Sequence, residues 1–111
     1  MAGNPPKVER RPEAVRDVIE AADFIARRTS LAAADRFLAA VEATADRLAR
    51  MPGLGARWES DHPRLADLRV ASVSRFRKHL IFDRATPDGI ELVRVLHVAR
   101  DLDRLLDSES P

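Results

Sequence analysis

Arg69-Val70-Ala71-Ser72-Val73-Ser74-Arg75-Phe76-Arg77-Lys78-His79-Leu80-Ile81-Phe82-Asp83, a short turn, then Gly89-Ile90-Glu91-Leu92-Val93-Arg94-Val95-Leu96-His97-Val98-Ala99-Arg100 decide how this chain folds. Partial alternation puts Phe76, Leu80 and Phe82 on one side and Arg75, Arg77 and His79 on the other, the period of a half-buried strand. Between the last two runs, Ala85-Thr86-Pro87-Asp88-Gly89 carries Pro, Asp and Gly, each suited to a tight turn. The spacing predicts strands over 65–73, 75–83 and 90–98. The last is almost continuously apolar apart from Arg94 and His97, as expected of a strand covered on both faces.

Outward from this hairpin, the preceding half is helical. Pro12 suits a first helical turn and Glu13 the positive end of the helix dipole. Val15, Val18, Ile19, Ala22, Ile25 and Ala26 recur at three and four through about Arg28. Ser30 is a helix cap. Ala34, Phe37, Leu38, Val41, Ala45 and Leu48 trace a second stripe to about Arg50, and Met51-Pro52-Gly53-Leu54-Gly55 ends it. So short a connection makes the helices an antiparallel hairpin. Lys7-Val8-Glu9-Arg10 reads as a first, edge strand, 56–64 as an irregular loop holding Trp58, Asp61, His62 and Pro63, and Asp101 as the cap of a terminal turn carrying Leu102, Leu105 and Leu106. The fold class is α+β, two-layer: an N-terminal strand and a helical hairpin packed on a small twisted, mainly antiparallel sheet, with a short C-terminal helix. Residues 1–6 read as a disordered lead-in, 7–107 as a single domain and 108–111 as a frayed tail.

Length and composition narrow the function. The 111 residues are 45% apolar and 33% charged, one soluble globular domain. There is no cysteine, hence no disulfide framework and no thiolate zinc site. No apolar run reaches membrane-spanning length and the start lacks a signal peptide, so the expected location is the cytoplasm, with no membrane partner. Net charge is +1, unevenly spread. Residues 69–100 hold seven basic groups against three acidic, 101–111 one against four, and 1–68 eleven of each. The basic hairpin suits an acidic or phosphate-bearing partner, and equally a solvated sheet face. Arg94 is costly to bury unpaired. Glu91 or Asp83 is its expected partner, if it does not face the open side of the sheet. His97, inside an apolar strand, reads first as a structural histidine. No ligand spacing supports a metal, and no cofactor is expected.

Taken together, Pro12-Glu13-Ala14, Met51-Pro52-Gly53-Leu54-Gly55, Asp67-Leu68-Arg69, Phe76–Phe82 and Ile90–Arg100 resemble the RelE/ParE toxin superfamily of type II toxin–antitoxin systems over about residues 7–105. That resemblance implies the same α+β fold, a cognate antitoxin with an acidic or amphipathic C-terminal segment, and a toxin–antitoxin hetero-oligomer. RelE-like members are ribosome-dependent messenger-RNA endonucleases, and ParE-like members inhibit DNA gyrase. In the first branch Arg77 and Arg100 would hold the scissile phosphate, with His97 or His79 as acid or base, in a metal-independent endoribonuclease. However, the lysines of that branch are replaced by apolar residues around Leu68–Val70, and the chain has no tyrosine. Val95–Arg100 looks more like the ParE branch, which implies a gyrase inhibitor acting by protein contact, not an enzyme. Arg69, Arg75, Arg77, Arg94 and Arg100 are then the candidate contacts to target or antitoxin. A non-toxic antitoxin-binding module is the remaining alternative.

Overall fold

A computed structural model describes residues 5–58 and 67–101. Strand β1 (Lys7–Arg10) leads into α1 (Pro12–Arg28) and α2 (Leu31–Arg50), followed by β2 (Ala56–Arg57), β3 (Arg69–Val73), β4 (Phe76–Thr86) and β5 (Gly89–His97). The five strands form one sheet in the order β1-β5-β4-β3-β2. Only β1 runs parallel to its neighbour; the other pairings are antiparallel. The expected α+β arrangement, a helical hairpin on a mixed sheet, is what the chain adopts. The lead-in before Pro5, the loop from 59 to 66 with His62, the terminal turn with Leu102, Leu105 and Leu106, and the tail 108–111 lie outside the described residues.

Local chemistry sets the boundaries. Pro12 occupies the first turn of α1, where a missing N–H costs nothing. The Ser30 hydroxyl accepts the Ala33 N–H at 3.0 Å and caps α2. At the opposite end Gly89 is obligatory: a Cβ there would stand 2.0 Å from the Lys7 carbonyl oxygen, because β1 passes directly against it. Strand β3 starts at Arg69, later than the expected position 65. Asp67 has φ +66°, a left-handed conformation that no strand accommodates. Ala56 and Arg57, expected in loop, pair with Val70 and Arg69 as an edge strand.

Two clusters sandwich the sheet. Toward the helices lie Phe37, Val41, Ala45, Leu48, Val73, Ile81, Ile90, Leu92 and Val95. On the opposite face Leu68, Phe82, Val93 and Leu96 gather with Trp58, Val70 and Leu80. β5 thus contributes to both, as its unbroken apolar run implies. Three details of the expected patterning are corrected. Phe76 does not share a face with Leu80 and Phe82: it meets Phe37 edge-on at 5.3 Å on the helix side, whereas they pack on the far side. Register shifts at Ser72/Val73 and Phe82/Asp83 break the simple alternation. In α1, Val15 and Ile19 of the expected stripe are exposed while Ala14 and Ala21 outside it are buried, and in α2 Leu38 is exposed while Ala33 is buried; Ala22 and Ala34 are buried as expected. Alanines of both helices fill much of the helix-side interface beside Phe37, Val41 and Leu48.

One long-range contact locks α1 to β5. β1 pairs only as far as Arg10↔Leu92, so the outer edge of β5 is bare beyond that point. Asp17 of α1 covers it. Its carboxylate accepts from Arg94 Nε at 2.7 Å and Nη2 at 2.9 Å, and from the Val95 N–H at 3.0 Å. Neither expected partner takes Arg94: Glu91 accepts from Arg11 Nε at 3.2 Å, and Asp83 is buried beside its register partner Arg69, whose charge it feels. Asp17→Ala leaves a half-buried guanidinium and a strand N–H unpaired, at a cost of about 2–4 kcal/mol. Chemical denaturation measures this, and a double-mutant cycle with Arg94→Ala should give a coupling above about 1 kcal/mol.

Candidate functional site: the cationic end of the sheet

The start of β4 and the end of β5 meet at one end of the sheet. His79 pairs in register with His97, and their rings stand edge to face at 5.0 Å. Phe37 of α2 lies 4.8 Å from the His79 ring. The ladder runs one step further, the Val98 N–H donating to the Lys78 carbonyl at 2.8 Å. The chain then folds back on itself. Asp101 Oδ2 accepts the His97 N–H at 2.8 Å, and the Asp101 N–H donates to the His97 carbonyl at 2.9 Å. This turn directs Arg100 onto α1, its guanidinium carbon 4.2 Å from the centre of the Phe24 ring. Arg28 approaches the same ring at 5.4 Å.

The field here is positive and the imidazoles respond. Burial, then the charges of His97 and Arg100, push the His79 pKa from 6.5 down to about 4. Burial and Arg100 also lower His97. The His97 Nδ1 accepts the Ala99 N–H at 3.1 Å, so the neutral ring carries its proton on Nε2. Its basic nitrogen is occupied within its own turn. Neither ring is built as a general base, and near neutral pH neither is held as an acid.

The other candidates scatter. Arg77 lies two residues before the paired His79, and Arg100 three after the paired His97, so register brings both to this end. Arg77 is exposed. Arg75 sits at the β3–β4 turn with φ +69°, exposed and conformationally strained. The buried Thr44 hydroxyl of α2 accepts the neighbouring Ser74 N–H at 3.0 Å and fixes that turn. Arg69 stands elsewhere, donating to the Gly55 carbonyl at 3.1 Å. Arg94 is held by Asp17. Sequence reasoning missed Asp17, Phe24 and Thr44. Asp17 and Phe24 are spaced by two helical turns, so one face of α1 addresses β5, but neither belongs to an apolar stripe. Among the described residues no group of three or more His, Asp or Glu is placed to hold a metal ion, and no helix is long and apolar enough to cross a membrane.

A helical hairpin on a five-stranded mixed sheet, with a cationic end, defines a small two-layer α+β domain. The structure is similar to a chain of the chromosomal ParDE TA system from P. aeruginosa, with a TM-score of 0.68 and 16% identity over 85% of this chain and 97% of that one. At that identity the likeness shows a shared fold. The sequence matches the family model of the ParE toxin of the type II toxin–antitoxin system parDE over residues 8–102, and the chain belongs to that family. No curated protein matches the chain.

Half-buried His79 and buried Asp83 titrate with opposite effect on stability. The folded pKa of His79 lies below its ordinary 6.5, so protonation favours the unfolded chain and stability falls as pH drops from 6.5 toward 4. Burial raises Asp83 from 3.8 to about 6, against the pull of Arg69, so stability falls as pH rises from 3.8 toward 6. The contributions oppose each other in the same window. Relative to wild type, Asp83→Asn should steepen the rise of stability between pH 4 and 6, and His79→Gln should flatten or reverse it. Denaturant midpoints across this range check both signs.

Proposed function

We propose that this chain is a cytoplasmic toxin that inhibits DNA gyrase by protein–protein contact and is neutralised by a cognate antitoxin in a hetero-oligomeric complex. Membership of the ParE toxin family carries this reading. The state of the cationic end supports contact over RNA cleavage. Phosphate-binding cations are present in Arg77 and Arg100, but hydrolysis also needs a base and an acid. The His97 Nδ1 is engaged by Ala99, and His79 is half-buried with its pKa lowered to about 4. The sequence contains no tyrosine to take either role.

In this reading Arg75, Arg77 and Arg100 form the surface that meets target or antitoxin, because Arg69 and Arg94 are engaged within the fold. Negative supercoiling by purified gyrase tests the function. Equimolar toxin should reduce supercoiling by at least about half, and Arg77→Ala combined with Arg75→Ala should weaken inhibition roughly tenfold, the loss of one or two interfacial charge contacts. Undiminished supercoiling together with cleavage of ribosome-bound messages would contradict the proposal and return the endonuclease reading.

A further inference from the structure

At the end of the sheet away from the paired histidines, a cavity of about 420 Å³ lies where three separate segments meet. Lys7 and the two prolines before it wall one side, Ala49 and Pro52 at the end of α2 another, and the β4–β5 turn from Thr86 to Gly89 the third. Small-molecule sites have roughly this size, about 300–1,000 Å³. The wall is poor in donors. Four of its nine residues are prolines, which have no N–H. The Lys7 N–H is spent on the Asp88 carbonyl at 2.9 Å. Acceptors are left over. The last helical bond of α2 runs from the Met51 N–H to the Arg47 carbonyl at 3.1 Å. The next carbonyl, of Leu48, would need an N–H from residue 52, which is proline. Among the described residues no loop N–H caps Ala49 either, and the Leu54 N–H turns to the Met51 carbonyl at 3.0 Å. The negative end of the helix dipole thus borders the cavity uncapped. Asp88 adds a carboxylate, and Thr86 Oγ1 has no hydrogen-bond partner, so no bond in the fold holds its rotamer. The cations nearby are Lys7 and, on the last turn of α2, Arg47 and Arg50, of which Arg50 is tied to Asp46 at 2.9 Å.

We propose that this cavity binds a small free amine through a primary ammonium group. An ammonium brings three donors and no acceptor, the complement of a wall with acceptors to spare. Its charge is favoured at a helix C-terminus and beside Asp88. Its three donors are rotatable and suit acceptors scattered over three segments, whereas a guanidinium needs the paired oxygens of one carboxylate in its plane. The methylene groups of the proline rings give the alkyl stem an apolar surface to lie on. An anion fits worse: it would rely on the Lys7 ammonium and one threonine hydroxyl, against Asp88 and the helix end. Lys7 is the group that opposes an amine, so its removal separates the two ligand charges. Walls on three sides and the volume favour a free molecule over a side chain presented by a protein surface. The cavity involves none of Arg75, Arg77 and Arg100, and the proposal stands whether or not gyrase is the target.

Nuclear magnetic resonance of the whole labelled chain at neutral pH tests this with defined probes. Butylammonium chloride is compared with butanol, potassium chloride, potassium acetate and a blocked lysine, N-acetyl-lysine amide, at equal ionic strength. Butylammonium should shift the Ala49, Thr86 and Gly89 amides saturably, and butanol, potassium chloride and acetate should not. Asp88→Asn should weaken its binding about threefold and Lys7→Met should tighten it about threefold, the scale of exposed charge pairs. Thr86→Val should weaken binding about tenfold, the loss of a hydrogen bond to a charged group, yet leave the denaturation midpoint unchanged or raised, because the hydroxyl makes no bond within the fold. No saturable shift with butylammonium, or an equal one with potassium chloride, overturns the site. Butanol binding as well as butylammonium overturns the ammonium in favour of an apolar ligand. Acetate binding that Lys7→Met abolishes overturns it in favour of an anion. Blocked lysine binding more tightly than butylammonium overturns the free amine in favour of a lysine side chain on a partner. A Thr86→Val chain that binds butylammonium at full strength removes the hydroxyl from the site and contradicts the geometry proposed.

Discussion

Asp17 satisfies three donors with one carboxylate, and the cationic end of the sheet depends on it. β1 stops pairing at Leu92, where the chain turns into α1, so β5 runs on with a bare edge. A strand N–H left unpaired in a half-buried place costs about 1–3 kcal/mol. α1 lies along that edge and supplies the acceptor from its own side chain. The same oxygen that takes the Val95 N–H also takes Arg94 Nε, so a charged pair and a sheet edge are tied by one contact. Coulomb attraction alone would not make this favourable, because both groups lose water. The fork geometry and the additional backbone bond tip the balance.

The consequence for function is positional. With α1 held at Asp17, Phe24 comes two turns later against the end of β5 and becomes the platform for Arg100. On the other side Thr44 of α2 grips the Ser74 N–H, and Phe37 backs His79 and Phe76. The cationic end is therefore built on two helices and two strands, not on a free loop. The backbone that carries Arg75 is fixed by Thr44, and the Arg100 guanidinium lies over Phe24.

Much of this architecture was legible in the sequence. Pro12 and Ser30 mark helix starts by mechanisms that act within one turn. The β4–β5 hairpin followed from Pro87-Asp88-Gly89 and two apolar runs, and β5 read as doubly covered because its apolar residues do not alternate. What escaped was non-local or governed by small residues. Stripe reading favoured Val15, Ile19 and Leu38 over Ala14, Ala21 and Ala33, yet close helix packing buries the alanines. Two register shifts divided Phe76 from Leu80 and Phe82. The Arg94 partner lies 77 positions away, beyond any local pattern. Within the site, Arg77 and Arg100 could be singled out from the resemblance, but the His79–His97 contact needs the register, and the role of Phe24 needs the helix beside the strand.

Native-state hydrogen exchange at the Val95 amide tests the central constraint most directly. If Asp17 closes the edge of β5, this amide exchanges only through openings near the global unfolding free energy, and in Asp17→Ala its protection falls far more than that of amides in the β3–β4 ladder. Equal loss across the sheet, or a Val95 amide that exchanges rapidly in the wild-type protein, would contradict the account.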